Sequence, residues 1–280
     1  MKNIMFICTG NTCRSPMAEG IFKSLTDSFS VKSAGVSAFS GDSVAENAVT
    51  ALSEMGIDIR GKRSTAFSPY MISETDLFVA MTDSHKTLLL LNGVPEEKIV
   101  VLGVSDPFGG GLEVYRKCAA EIKRKLIDLL FWLGCYEIRK FCDGDQSEIA
   151  SVEKECFSSP WSADEILKSC KNGTVFFVAA ADGKTVGYCG MQLTEYTGFI
   201  TNIAVYEKYR NRGFGSRLLL TLQKFAAENK ITELTLEVRQ SNKTAIELYE
   251  KFGFCKVGSR PRFYTSPTED AVIYTKQIKD

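Results

Sequence analysis

The stretch that most constrains the fold lies near the start of the chain, directly after an apolar run from Ile4 to Cys8. It reads Cys8-Thr9-Gly10-Asn11-Thr12-Cys13-Arg14-Ser15 and is followed by Pro16, a residue that suits the first turn of a helix. This order predicts a strand, a turn and a helix N-terminus. In such a unit several backbone N–H groups point at one spot and the helix dipole adds partial positive charge, so the turn favours an anion.

Two side chains in this stretch turn an anion site into a possible reaction centre. The thiolate form of Cys8 is favoured by the surrounding N–H groups and by Arg14. A thiolate can attack phosphorus, and the planar guanidinium of Arg14 can hold two phosphoryl oxygens at once. The alternative is a loop that merely binds sulfate.

The first half of the chain alternates apolar runs with helical patterns. The runs predict strands over residues 2–7, 31–34, 76–81 and 98–102. Helices are expected from Pro16 to about Leu25, after a capping box formed by Ser43 and Glu46, over about 83–91 and over about 112–133. This alternation predicts an α/β fold with a doubly wound parallel sheet, in which ligands lie beyond the carboxyl ends of the strands.

The motif also carries a family resemblance. Cys8, five intervening residues, Arg14 and Ser15 resemble the phosphate loop of the low-molecular-weight protein tyrosine phosphatases. Asp106-Pro107-Phe108 resembles the acid loop of the same family. The similarity extends over about residues 1–133, so we place a phosphatase domain at residues 1–134.

The predicted chemistry needs a nucleophile and an acid. Cys8 would attack the phosphoryl group in line and form a phosphocysteine, while Asp106 would protonate the leaving atom and then activate water. Both residues follow predicted strand ends and could therefore share one site. Arg14 and the remaining loop residues would bind phosphate without a metal or cofactor: Thr9, Gly10, Asn11, Thr12, Cys13 and Ser15.

Two residues bear on the substrate of this half. Thr12 stands where tyrosine-specific members usually carry an aliphatic residue, and it resembles the protein arginine phosphatase branch, as does Phe108 followed by two glycines. A threonine hydroxyl could bind the guanidinium of phosphoarginine or help to place the hydrolytic water. We expect phosphoarginine first and phosphotyrosine second. An arsenate reductase ranks lower, because Cys118 offers no pair of redox cysteines.

Two further residues have competing interpretations. Cys13 is either a small buried hydrophobe or a partner that forms a reversible disulfide with Cys8 and shields it from irreversible oxidation. His85, the only histidine of the chain, is interpreted as structural, because neither motif needs an imidazole.

The pattern of the sequence changes near Gly134, where we expect a second domain to begin. The sequence alternates over residues 136–141 like a new strand, and it then predicts a helix to about Phe157 and another after a capping box of Ser162 and Glu165. Runs at residues 174–181, 186–193 and 199–205 predict an antiparallel hairpin and meander.

A glycine-containing loop precedes a helical pattern in this half, comprising Arg210, Asn211, Arg212, Gly213, Phe214, Gly215 and Ser216. Glycines let the backbone approach a pyrophosphate, and the helix N-terminus supplies N–H groups. Together with strands at 202–205 and 234–238 and a helix that ends before Gly253-Phe254, this order resembles the GNAT superfamily of acetyl-CoA-dependent N-acetyltransferases over about residues 136–280. Three shorter stretches resemble the ribosomal-protein-alanine N-acetyltransferases: Pro160-Trp161-Ser162, Leu236-Glu237-Val238-Arg239 with Ser241-Asn242, and Leu248-Tyr249-Glu250.

The resemblance implies a mixed-sheet α+β acetyltransferase domain at residues 135–280. Acetyl-CoA would lie between the two strands, with its pyrophosphate on residues 210–216, and the other cofactor-binding residues would be Ile203, Ala204, Val205 and Asn242. Glu237 would take a proton from an N-terminal ammonium, and Tyr249 would protonate the departing CoA thiolate. The alternatives are a surface charge and a half-buried core aromatic. Phe263 stands where these enzymes carry one tyrosine of a pair beside the substrate.

Composition limits the partners. Lysine plus arginine and aspartate plus glutamate number 34 each, and the chain has no basic run, which argues against nucleic acid. The apolar start is too short for a signal peptide, no run reaches membrane-spanning length, and the nine cysteines form no Cys-x-x-Cys pair. We expect a cytoplasmic bifunctional enzyme that acts on a phosphoprotein and on a protein N-terminus, possible examples being ribosomal proteins. In the alternative, one half is only a regulatory ligand-binding module.

Overall fold

The computed structural model describes residues 2–278. The chain divides into two compact units that meet between Leu133 and Gly134. The first unit contains four strands, β1 (Lys2–Cys8), β2 (Phe29–Gly35), β3 (Leu77–Ala80) and β4 (Ile99–Val101). Its helices are α1 (Arg14–Leu25), α2 (Glu46–Ser53), α3 (Met71–Glu74), α4 (Asp83–Leu91) and α5 (Leu112–Trp132).

The four strands form one parallel sheet in the order β2-β1-β3-β4. Alternate side chains of β1 pack on opposite faces, as a pleated strand requires. Phe6 meets Phe22 of α1, with ring centroids 5.6 Å apart, whereas Ile7 belongs to a cluster that contains Leu89 of α4. Helices therefore cover both faces, and the predicted doubly wound parallel sheet is confirmed.

One predicted helix start is wrong. The expected capping box at Ser43 does not form, because α2 begins at Glu46 after Ala45 and has no side-chain cap. Ser43 instead forms an isolated antiparallel bridge with Arg63, whose guanidinium donates to the serine hydroxyl. Ser43 thus lies two residues before the N-cap, Ala45, and pairs with another segment of the chain.

The second unit is built on a seven-stranded sheet in the order β10-β11-β9-β8-β7-β6-β5. Its strands are β5 (Tyr136–Lys140), β6 (Thr174–Ala181), β7 (Lys184–Leu193), β8 (Thr197–Val205), β9 (Glu233–Arg239), β10 (Cys255–Thr265) and β11 (Thr268–Gln277). Its helices are α6 (Asp145–Cys156), α7 (Ala163–Lys171), α8 (Phe214–Glu228) and α9 (Lys243–Lys251). The capping box of Ser162 and Glu165 at the start of α7 is confirmed.

This sheet is mixed because one neighbouring pair, β8 and β9, runs parallel while the others run antiparallel. The parallel pairing starts at Thr197 and Glu233 and ends at Ile200 and Leu236. Residues 201–205 of β8 therefore continue without β9 beside them, and the sheet opens between the two strands. The predicted mixed-sheet α+β architecture is confirmed.

In residues 2–278 we find no helix with the length and apolar character needed to cross a membrane.

Two candidate active sites

The first candidate site surrounds the Cys8 sulfur at the carboxyl end of β1. The side chain is buried, and the loop turns back so that the backbone N–H of Asn11 donates to Sγ at 3.3 Å. Ser15 Oγ lies 2.9 Å from the same sulfur. Because Asn11 Nδ2 already donates to Ser15 Oγ at 2.8 Å, the serine hydrogen can turn towards the sulfur. Two donors are thus arranged to stabilise a thiolate.

Asn11 gives this loop its shape. Its φ is 52°, in the left-handed region that asparagine tolerates better than most residues, and it is fully buried. Its amide also donates to Ser33 Oγ at 2.8 Å and accepts from the backbone N–H of Thr65 at 2.8 Å. The side chain of this predicted phosphate-binding residue is therefore used within the protein, which leaves only its backbone for an anion.

Arg14 brings the two halves of the predicted chemistry together. Its buried guanidinium donates from Nη2 to Asp106 Oδ2 at 2.5 Å and from Nη1 to the Val104 carbonyl at 3.4 Å. Asp106 is about half exposed, and its other oxygen accepts from the backbone N–H of Phe108 at 3.2 Å. A phosphoryl group held by Arg14 would therefore meet the side chain of Asp106.

The acid loop is anchored to the rest of the unit. Asn47 Nδ2 of α2 donates to the Gly110 carbonyl at 3.2 Å. Phe108 projects outward with 79% of its surface exposed, so it is placed to meet whatever enters the site. Thr12 is half-buried; its carbonyl accepts from Ala45 N at 2.9 Å, and its Oγ1 lies 3.7 Å from Cys13 Sγ.

His85 makes contacts beside Cys8 that the sequence did not indicate. Its Nε2 lies 2.9 Å from Thr9 Oγ1, and its Nδ1 lies 2.6 Å from Thr82 Oγ1 at the start of α4. Burial, and secondarily the positive charge of Arg14, lowers the pKa of His85. A neutral imidazole thus connects α4 to Thr9, the residue that follows Cys8.

Cys13 is buried and hydrogen-bonded to Tyr115 of α5, with Sγ 3.2 Å from the hydroxyl oxygen. Burial raises the pKa of Tyr115, so this hydroxyl stays protonated. Cys118 lies one turn further along α5, 3.8 Å from the Ser105 carbonyl, and burial raises the pKa of its thiol to about 12. All three cysteines are free thiols, and the proposed disulfide partnership of Cys13 stays a prediction.

The second candidate site is the opening between β8 and β9, a cleft of about 530 Å³. Of the two predicted catalytic residues, Glu237 lies on β9 and Tyr249 on α9, and both line the cleft. Arg260 of β10 donates from Nη1 to Glu237 Oε1 at 2.7 Å and lies over the Phe263 ring at 4.6 Å. Burial raises the pKa of Tyr249, so its hydroxyl holds its proton.

The loop predicted to bind pyrophosphate has the backbone that close approach requires. Asn211 and Gly213 have positive φ values of 59° and 75°, and α8 then begins at Phe214 without a side-chain cap. The N-cap, Gly213, has no side chain that could accept from the N–H groups of the first turn, which includes Gly215 and Ser216. Two arginines of the loop are hydrogen-bonded within the protein: Arg210 Nε donates to the Val205 carbonyl at 3.2 Å, and Arg212 Nη1 donates to the Tyr136 hydroxyl at 3.3 Å.

Four of the predicted cofactor-binding residues use their side chains elsewhere. Phe214 is buried against Tyr136, with ring centroids 4.7 Å apart, so only its backbone can meet a ligand. Asn242 lines the cleft but caps α9 by accepting from Ala245 N at 3.2 Å. Ala204 and Val205 are buried, and Ile203 is the member of that strand segment whose side chain lines the cleft.

No cluster of three or more histidine, cysteine, aspartate or glutamate side chains that could hold a metal ion occurs within residues 2–278.

Two family models match this chain, one in each half. The model of the low molecular weight phosphotyrosine protein phosphatase family matches residues 3–140, and that of the acetyltransferase (GNAT) family matches residues 132–254. A protein-arginine-phosphatase of Bacillus subtilis is 36% identical over 141 residues, which cover 45% of this chain and 93% of that protein.

Two further relatives represent the two halves. A low molecular weight protein-tyrosine-phosphatase, PtpB of Staphylococcus epidermidis, is 31% identical over 127 residues, covering 42% of this chain and 90% of that protein. The Bacillus subtilis protein named "Putative ribosomal protein bS18-alanine N-acetyltransferase" is 34% identical over 138 residues, covering 49% of this chain and 91% of that protein. The chain is therefore a fusion of two enzyme domains, and it belongs to the low-molecular-weight phosphotyrosine protein phosphatase family through its first half and to the GNAT acetyltransferase family through its second half.

Proposed function

We propose that this chain is a bifunctional enzyme with its domain boundary near Gly134. The first domain hydrolyses phosphoarginine in proteins through a phosphocysteine on Cys8. The second domain transfers the acetyl group of acetyl-CoA to the N-terminal amine of a protein that begins with alanine. The observation that carries the proposal is the pair of preformed sites, with Asp106 held on Arg14 in one and Glu237 lining the open cleft in the other.

In the phosphatase domain the Cys8 sulfur attacks phosphorus, and the sulfur–phosphorus bond forms as the phosphorus–nitrogen bond of phosphoarginine breaks. The phosphoryl group takes the place of Asp106 on Arg14, which with the loop N–H groups stabilises the equatorial oxygens. Asp106, protonated once it has left the arginine, gives its proton to the departing guanidine nitrogen. Asp106 then takes a proton from water, which attacks phosphorus, releases phosphate and restores the Cys8 thiolate.

The preference for phosphoarginine rests on Thr12. A hydroxyl at this half-buried position can hydrogen-bond a guanidinium or a water, whereas an aliphatic side chain would present only apolar surface. The Bacillus subtilis relative named for arginine dephosphorylation and the staphylococcal relative named for tyrosine dephosphorylation are 36% and 31% identical to this half. Phosphotyrosine is accordingly the second candidate substrate.

The first experiment compares peptides that differ only in carrying phosphoarginine or phosphotyrosine. We expect the wild-type chain to hydrolyse the phosphoarginine peptide with the higher kcat/KM, and Asp106→Asn to slow the reaction while Cys8→Ser abolishes it. Equal or faster hydrolysis of the phosphotyrosine peptide would contradict the substrate assignment.

In the acetyltransferase domain the residues present fit a CoA thioester. The positive-φ turn and the uncapped start of α8 suit a pyrophosphate, and the opening between β8 and β9 leaves backbone groups for the rest of the molecule. When bound, acetyl-CoA supplies an activated acetyl group. Glu237 accepts a proton from the N-terminal ammonium, since only the neutral amine attacks a thioester, and the Tyr249 hydroxyl donates a proton to the thiolate sulfur.

The second experiment uses acetyl-CoA and peptides with a free N-terminal alanine, among them the N-terminus of a ribosomal protein. We expect an acetyl group on the alanine nitrogen, with Glu237→Gln and Tyr249→Phe both slower. If the wild-type chain binds acetyl-CoA but acetylates no N-terminal peptide, this half of the proposal is wrong.

A further inference from the structure

The acetyltransferase cleft is lined by a second carboxylate that the proposed mechanism does not use. Glu153 lies on α6, is 1% exposed and lines the same cleft as Glu237. The two carboxylates differ in their partners. Glu237 is paired with Arg260, whereas Glu153 makes no ion pair with a lysine or arginine in the part of the chain that the structure describes.

Three donors converge on Glu153 from distant parts of the chain. Oε1 accepts from Asn202 Nδ2 at 3.0 Å and from the Tyr188 hydroxyl, and Oε2 accepts from the backbone N–H of Trp161 at 2.8 Å. Asn202 lies on the open part of β8, beyond its last pairing with β9. Residues 157–159, in the segment that connects α6 to α7, line the cleft, and Trp161 follows them in the same segment. Glu153 thus fixes two walls of the cleft at once.

These contacts favour the ionised carboxylate. Asn202 Nδ2 and Trp161 N can only donate, and a protonated carboxyl would require the Tyr188 hydroxyl to accept instead of donating. Burial raises the pKa of Glu153 and the three hydrogen bonds oppose that rise. When ionised, Glu153 is a buried negative charge beside the cleft, and no lysine or arginine of residues 2–278 is paired with it. An incoming cation would stabilise such a charge.

We propose that Glu153 is a positioning residue for the acetyl acceptor: through Asn202 and Trp161 it holds two walls of the cleft, β8 and residues 157–159, and its charge selects an acceptor that arrives as a cationic amine. The proposal rests on the acetyltransferase function but concerns a separate step. Glu237 removes the proton, whereas Glu153 favours binding of the protonated form.

The test is calorimetric binding of an alanyl peptide to the full-length protein saturated with CoA, which requires no acetyl transfer. The same peptide with an N-acetylated terminus serves as the uncharged probe. The variant is Glu153→Gln, and the matched control is Glu148→Gln, an exposed carboxylate on the same helix. CoA binding and thermal unfolding of each variant report on the cofactor site and on folding.

We expect Glu153→Gln to weaken binding of the free peptide about tenfold, because the attraction between the carboxylate and the incoming ammonium is lost. CoA affinity should stay within about twofold of wild type, and the preference for the free over the acetylated peptide should shrink. Glu148→Gln should bind both peptides like wild type. Tyr188→Phe, which removes one donor and keeps the charge, should preserve most of that preference.

The proposal is overturned if Glu153→Gln leaves the preference for the free amine intact, if it weakens CoA binding as much as peptide binding, or if wild-type protein binds neither peptide. The failure of the proposed function looks different: the wild-type chain would bind the free peptide with the expected dependence on Glu153 and yet transfer no acetyl group to it.

Discussion

The residues of the two candidate sites are distributed differently along the chain. In the phosphatase domain the anion loop, the proposed nucleophile and the arginine lie within the eight consecutive residues from Cys8 to Ser15, and one distant residue, the proposed acid Asp106, contacts that arginine. In the acetyltransferase domain the loop at 210–216 is contiguous, but Glu237, Tyr249 and Glu153 lie on three different elements around an opening in the sheet. The geometry of the first site therefore depends mainly on the backbone conformation of one loop. The geometry of the second site depends on how the strands and helices that carry its residues pack together.

The largest expected effect follows from removing the nucleophile. Cys8→Ser should lower phosphatase kcat by about 10³-fold or more, because the serine hydroxyl is not ionised at neutral pH and is a much weaker nucleophile than a thiolate. Phosphate release from a phosphoarginine peptide measures it. Substantial residual activity would show that the chemistry does not depend on this motif.

Removing the base of the dispersed site should cost less. Glu237→Gln should reduce acetyl transfer to an alanyl peptide about 10²-fold, and the loss should be partly recovered at high pH, where the amine is neutral without help. A pH–rate profile of both proteins distinguishes this from misfolding. A pH-independent loss would assign Glu237 a structural role with Arg260.

Gly35 packs directly against the backbone of the loop that contains Cys8, so a larger residue there tests whether the loop can change its conformation. A Cβ at this position would lie 2.5 Å from the Thr9 carbonyl and 2.8 Å from Asn11 N, both backbone atoms of the nucleophile loop. Gly35→Ala should therefore destabilise the first domain by about 1–3 kcal/mol and impair phosphatase activity. Thermal unfolding and both enzyme assays check it, and unchanged phosphatase kinetics would show that the loop can adjust.

A smaller effect is expected from the residue that bears on the substrate. Thr12→Ile should move the ratio of phosphoarginine to phosphotyrosine kcat/KM towards phosphotyrosine by about tenfold, since an aliphatic side chain cannot hydrogen-bond a guanidinium. Thr12→Ser, which keeps the hydroxyl, is the matched control. A ratio that does not change in Thr12→Ile would remove the basis for the phosphoarginine assignment.

The smallest effect concerns His85 and pH. Its pKa in the folded chain is below the ordinary value of 6.5, mainly because of burial, so the unfolded chain binds more protons just below that pH. Stability should accordingly rise with pH through this window and be lost as the pH falls below 6.5. His85→Gln should flatten that dependence in denaturant titrations, and an equally steep dependence in the variant would contradict the account.

The same comparison explains what the sequence could predict. Helix α4 and strand β6 have the predicted bounds, because their patterns are local, and Cys8, Arg14 and Asp106 could be picked out from two short motifs. The contacts of His85 with Thr9 and of Glu153 with Asn202 could not, because 76 and 49 residues separate the partners and neither pair belongs to a motif. The start of α2 was mispredicted for the same reason, since Arg63 lies 20 residues beyond Ser43.

The central claim is that one chain carries two chemistries that depend on different residues. Its most direct test is to purify the wild-type chain, Cys8→Ser and Glu237→Gln, and to measure both phosphoarginine hydrolysis and alanyl-peptide acetylation on each. We predict that Cys8→Ser loses the first reaction and keeps the second, and that Glu237→Gln does the reverse. Loss of both reactions in either folded variant, or the absence of one reaction from the wild-type chain, would contradict the account.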